Sequence, residues 1–83
     1  MREQRDQIRI GLLKNHLSQV WLIDQLSKRC GVEVDKSTLS AVLNGSRQGY
    51  KAQFIIDQSV KILTDYETKM NKADDKWLNT MKN

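Results

Sequence analysis

LSQVWLIDQLSKRCGVEVDKSTLSAVLNGSR, residues 17–47, contains two short amphipathic segments separated by a break. Ser18 is the residue type that caps a helix N-terminus, and the residues after it place Leu22, Ile23 and Leu26 on one stripe, which Cys30 extends by a turn. Gly31 supplies the stop, because glycine enters the left-handed conformation that ends a helix without a steric penalty. After Gly31-Val32-Glu33-Val34, Asp35 is placed to cap a second segment, KSTLSAVLN, residues 36–44, whose Leu39, Val42 and Leu43 share a face. Gly45 closes it. The opposite face carries Lys36, Ser37, Ser40, Ala41 and Asn44, all small or polar.

On the N-terminal side, residues 2–15 read as a helix, with Ile8 and Leu12 four apart and Arg5, Asp6, Arg9 and Lys14 mostly elsewhere on the wheel. Gly11 weakens it slightly. NGSRQGY, residues 44–50, has two glycines and no apolar periodicity, so it reads as an exposed loop. A further helix begins near Lys51, with Phe54, Ile55, Ile56, Ser59, Val60 and Leu63 forming its apolar stripe. Beyond it Leu63, Tyr66, Met70, Ala73, Trp77 and Met81 recur at steps of three and four, the rhythm of a seam between helices. That stretch is either a fifth helix or an extension of the fourth. The expected fold is all-α: a compact four- to five-helix domain over residues 1–64, with a C-terminal helical extension over 65–83.

The chain's 83 residues suffice for one modest core. With 39% hydrophobic and 29% charged residues, the composition is that of a folding globular chain. No apolar run approaches the roughly 20 residues that span a bilayer, and MREQRDQIRI lacks the apolar stretch of a signal peptide, so the expected setting is cytoplasmic, without membrane attachment. Cys30 is the single cysteine and His16 the single histidine, which leaves no intramolecular disulfide and no ordinary zinc site; Cys30 reads as a small buried residue. No glycine-rich phosphate loop or nucleophile–base arrangement is present, and Asp74-Asp75 points two ways from a helix, so no catalytic residues and no cofactor are expected. The net charge is +4, and no acidic residue lies between Asp35 and Asp57, whereas Lys36, Arg47 and Lys51 do. The middle of the chain therefore offers a positive field to a polyanion. A short helix with small hydrogen-bonding groups on its outer face has the shape that a DNA major groove admits.

Residues 17–47 resemble the core of the lambda-repressor-like helix-turn-helix family of DNA-binding proteins, the Cro, phage-repressor and Xre-type regulators. Ser18-Gln19 stands where that family commonly has Thr-Gln, Leu22-Ile23 where it has two packed apolar residues, and Gly31-Val32 at the turn. STLSAVLNG, residues 37–45, resembles the recognition helix with its closing Asn-Gly, and is also similar to that of LacI-type regulators. With the flanking helices the resemblance spans roughly residues 5–63. Two features depart from the pattern. Glu33-Val34 lengthens the turn by about two residues, which bears on the angle between the helices, and Val20-Trp21 replaces the usual polar surface of the first of them. An exposed tryptophan beside a valine calls for a cover, for which Trp77, Leu78 and Met81 are candidates, from the same chain or a second copy.

The resemblance implies a sequence-specific transcriptional regulator, phage or mobile-element encoded and nucleoid-associated when bound, that inserts its third helix into the major groove of double-stranded DNA. Lys36, Ser37 and Ala41 would face base edges, with Ser40 at the margin. Gln19, Thr38, Asn44, Ser46, Arg47, Tyr50 and Lys51 would serve the phosphates, Thr38 nearer the junction between helices and Tyr50 alternatively packing on the fourth helix. Such proteins act as dimers on palindromic sites. Val20, Trp21, Met70, Trp77 and Met81 are the candidates for a homodimer contact, unless the C-terminal residues fold back on their own domain. The competing expectation is a non-catalytic protein-interaction module of the same fold that binds another regulator or a host protein, because fold does not fix function.

Overall fold

Apolar spacing, caps and glycines divide the chain into four helices: α1 (Arg2–Lys14), α2 (Gln19–Cys30), α3 (Lys36–Leu43) and α4 (Tyr50–Lys82). The computed structural model describes the backbone of residues 2–82 and the side chains of residues 3–70. Among the described residues there is no strand, and the chain forms a compact all-helical globule.

The caps act as the sequence suggests. Ser18 Oγ accepts a hydrogen bond from the Trp21 N–H at 3.1 Å, and Asp35 Oδ1 accepts one from the Thr38 N–H at 2.7 Å, each satisfying a donor left free in a first turn. At the other end of α2, Gly31 takes φ 66° and its N–H donates to Ser27 O at 3.0 Å. α1 ends differently. His16 itself adopts φ 56°, while the His16 N–H donates to Leu13 O and the Leu17 N–H to Leu12 O, a Schellman closure built on a residue that carries a Cβ.

Each helix turns one face inward. Ile8 and Leu12 of α1, Leu22 and Leu26 of α2, Leu39, Val42 and Leu43 of α3, and Ala52, Ile55, Ile56, Ile62 and Leu63 of α4 form one buried cluster. Val34, in the link between α2 and α3, joins it. Burying a side chain the size of leucine stabilises by about 1.5–3 kcal/mol relative to leaving it in water. Ser59 is buried within this cluster, and its hydroxyl donates to Ile55 O at 2.7 Å, so the polar group is matched. Gly11 earns its place by proximity: a Cβ there would stand 3.2 Å from Leu63 Cδ1, so its absence lets α1 settle against α4.

α4 continues through the C-terminal seam as one helix, an extension and not a fifth element. At 1.5 Å per residue its 33 residues rise roughly 50 Å. Polar links fasten its middle to the rest: Asn15 Nδ2 donates to Glu67 Oε1 at 3.0 Å, and Arg29 pairs with Asp65 at 2.8 Å. The Arg29–Asp65 pair is largely solvent-exposed, which limits its contribution to about 0–1 kcal/mol. Cys30 is half-buried, not buried as the sequence suggests, because it closes α2 beside a polar edge of α4 where its Sγ–H donates to Gln58 Oε1 at 3.2 Å. Among the described residues no helix is long and apolar enough to cross a membrane.

Candidate functional site

The site is the solvent side of α3 with its two neighbours, the first turn of α2 and the loop from Asn44 to Gly49. Because Leu39, Val42 and Leu43 are buried, the helical period turns Lys36, Ser37, Ser40, Ala41 and Asn44 outward, where they line one shallow depression. Lys36, Ser37 and Asn44 are exposed; Ser40 and Ala41 are half-buried at its base. Among the described residues no carboxylate lines this depression.

Ser40 explains how the surface is held. Its hydroxyl donates to Gln19 Oε1 at 2.9 Å, which ties α3 to the first turn of α2. Gln19 is thus occupied through its carbonyl oxygen, leaving its amide NH₂ as the group with donors to offer. Thr38 is half-buried at the inner edge, with its N–H engaged by Asp35. Hydrogen bonds from the Thr38 side chain and backbone N–H, with a smaller contribution from the positive charge of Arg47, hold the Asp35 carboxyl below the ordinary aspartate value of 3.8. The negative edge of the site is therefore anchored in the α3 cap.

The loop is shaped by its own polar groups. Asn44 Oδ1 accepts from the Ser46 N–H at 2.9 Å, an Asx turn, and the Arg47 N–H donates to Ala41 O at 3.1 Å. Ser46, Arg47, Tyr50 and Lys51 all face solvent. Tyr50 is 98% exposed, which excludes the alternative in which it packs on the fourth helix. Arg47 and Tyr50 share a second recess, of about 310 Å³, whose floor is Ala52 and Ile56 and whose far wall is Arg5 of α1. The Arg5 guanidinium lies over Gly45, 3.1 Å from where a Cβ would stand, and Gly45 takes φ 85°. Sequence reading missed Arg5: nothing in its local pattern shows that residue 5 meets residue 45, and only its charge marks it.

Of the residues expected to mediate self-association, Trp21 is half-buried and packs edge-to-face on Tyr66, with centroids 5.4 Å apart and planes at 74°. The cover for Trp21 thus includes the α4 seam within the same chain. Val20 remains 60% exposed beside it, and Met70 is exposed on α4. Trp77, Leu78 and Met81 lie outside the residues whose side chains are described. Among the described residues no group of three or more His, Cys, Asp or Glu side chains is arranged to hold a metal ion.

Set against family models, curated proteins and solved structures, the chain matches none of them.

Proposed function

We propose that the chain is a sequence-specific duplex DNA-binding transcriptional regulator in which α2 and α3 act as a helix-turn-helix and α3 enters the major groove. The observation that carries this reading is the outer face of α3. Five small or polar residues line one carboxylate-free depression on a helix short enough for the groove, with Arg47 and Lys51 following in the next loop and turn. Lys36 is the donor for guanine O6 or N7, Ser37 a hydrogen-bonding group for either base type, and the Ala41 methyl a contact for thymine. Ser40, already bonded to Gln19, fixes the margin. Gln19 Nε2, Ser46, Arg47, Tyr50 and Lys51 reach for phosphates, which set register and carry no sequence information directly. With so few and such small base readers, shape readout and pairing of half-sites supply the remaining specificity. A homodimer on a roughly palindromic site, its half-sites about 10 bp apart, completes the proposal.

Selection from a random duplex library, followed by affinity of the enriched sequence against salt, tests it. The expected result is a two-fold-symmetric site with a steep negative dependence of log affinity on log salt. Negligible binding to every duplex at low salt overturns the reading. The alternative, a protein-interaction module, draws on the exposed Val20 and on apolar residues elsewhere on the surface.

A further inference from the structure

α1 presents two large aliphatic side chains to solvent on one face. Ile10 is 62% exposed and Leu13 is 80% exposed, three residues apart on one side of the helix, while Ile8 and Leu12 face the core. Grooves flank this ridge on both sides. One runs between α1 and the start of α2, where Leu17 and Gln19 form its wall; the other runs between α1 and α4, along Val60, Leu63 and Thr64. Two large aliphatic side chains held between two grooves form a knob that none of the described residues covers.

The charges around the knob say what covers it. Asp6 lies four residues before Ile10 and Lys14 four residues after it, so the three follow one line along the helix surface. Both charged residues are exposed, and among the described residues neither takes part in an ion pair. Glu67, which shares the α4-side groove with Lys14, instead accepts from Asn15 Nδ2. A two-fold axis through Ile10 with the helices antiparallel brings Asp6 of each copy to Lys14 of the other and sets Leu13 beside the opposing Ile10. Parallel pairing would oppose like charges. Along the Asp6–Ile10–Lys14 line the face is therefore complementary to itself in one orientation, as an isologous contact requires, with the exposed Arg9 at the edge of the α1–α2 groove.

We infer that the Ile10–Leu13 face of α1 is a self-association surface on which the same face of a second copy of this chain packs antiparallel, with Asp6–Lys14 pairs at both ends. This surface is separate from the α4 seam and does not depend on DNA binding. Its neighbourhood matters to the proposed site, because Gln19 lines one of the flanking grooves, so pairing here sets the spacing between two copies of the α2 first turn.

Sedimentation equilibrium of the full chain without DNA tests the inference, with circular dichroism to show that each variant keeps its helices. The wild type is expected to dimerise and Leu13→Arg to sediment as a monomer. Asp6→Lys is expected to weaken dimerisation at least tenfold, and the double variant Asp6→Lys, Lys14→Asp to restore it to within about threefold by re-forming the pair with its signs exchanged. A monomeric wild type at millimolar concentration overturns the inference. So does a folded Leu13→Arg dimer of undiminished affinity, or a double variant no better than Asp6→Lys alone. Trp77→Ser reports on the α4 seam in the same assay: loss of the dimer in Trp77→Ser together with an unaffected Leu13→Arg assigns self-association to α4 and rejects α1.

Discussion

α1 and α3 pack on the same core yet show solvent opposite characters. Inside, Ile8 and Leu12 of α1 meet Leu39, Val42 and Leu43 of α3 in one cluster. Outside, α3 displays Lys36, Ser37, Ala41 and Asn44, whereas α1 displays Ile10 and Leu13 between Asp6 and Lys14. The inward faces obey one rule, the removal of apolar surface from water, and either helix would satisfy it with any outer face. The outer faces are free of that rule, and their difference is what the two proposals rest on: a polar, hydrogen-bonding and negatively charged partner for α3, an apolar one with complementary charges for α1.

The largest effects lie where the two helices are alike. Leu39→Ala and Ile8→Ala each remove a fully buried side chain and are expected to cost about 2–5 kcal/mol in chemical denaturation, with a cooperative transition retained. A cost below about 1 kcal/mol at either position would break the equivalence of the inner faces. Next come changes to the outer face of α3 alone. Lys36→Ala combined with Arg47→Ala is expected to reduce DNA affinity by about tenfold or more and to make the salt dependence shallower by about one to two units of slope, with stability changed by no more than about 0.5 kcal/mol. Unchanged affinity at moderate salt would falsify the groove-reading role of that face.

The α3 cap gives a pH test. The folded-state pKa of Asp35 lies below its unfolded value of 3.8, so the contribution of its carboxylate is fully present above that value and is lost as pH falls through the lower, folded pKa. Thermal unfolding of the wild type and Asp35→Asn across this range should therefore show a difference that is constant above about pH 5 and shrinks as the medium becomes more acidic. A difference independent of pH would remove the charge from the cap. Ser18→Ala, at the start of α2, is expected to cost about 1 kcal/mol without such a pH dependence, because a hydroxyl does not titrate.

Much of this architecture can be read from the sequence because it rests on local chemistry. Ser18, Gly31 and Asp35 act within a few residues of themselves, and the three- and four-residue spacing of Leu39, Val42 and Leu43 determines which side of α3 faces out. The remainder depends on pairs far apart in sequence. Arg5 over Gly45, Ser40 bonded to Gln19, Trp21 on Tyr66 and Asn15 bonded to Glu67 are tertiary contacts with no local signature. The apolar outer face of α1 was hidden for another reason. Ile8, Ile10, Leu12 and Leu13 crowd so closely that the wheel carries apolar residues on more than one side, and packing alone selects the side that is buried. Gly11 likewise reads as a weak point in a helix until Leu63 is placed against it.

The smallest effects concern how α1 and α3 are each joined to α2. Both exits from the preceding helix use a left-handed residue, Gly31 before α3 and His16 after α1. Glycine reaches that conformation freely; a residue with a Cβ does so at a cost of roughly 1–2 kcal/mol. Nothing lies within 4 Å of the position a Cβ would take at Gly31, so Gly31→Ala isolates the backbone cost and is expected to destabilise by about 1 kcal/mol. His16 is exposed, and removing its side chain forfeits little packing. His16→Gly should therefore recover part of the same cost, reduced by about 0.5–1 kcal/mol for the greater freedom of glycine in the unfolded chain, a net stabilisation of about 0.5 kcal/mol. Loss of stability in His16→Gly would mean that the imidazole makes a contribution beyond the turn. A gain there beside a loss in Gly31→Ala would show that the two joints obey the same backbone rule, although only one of them has glycine at its left-handed position.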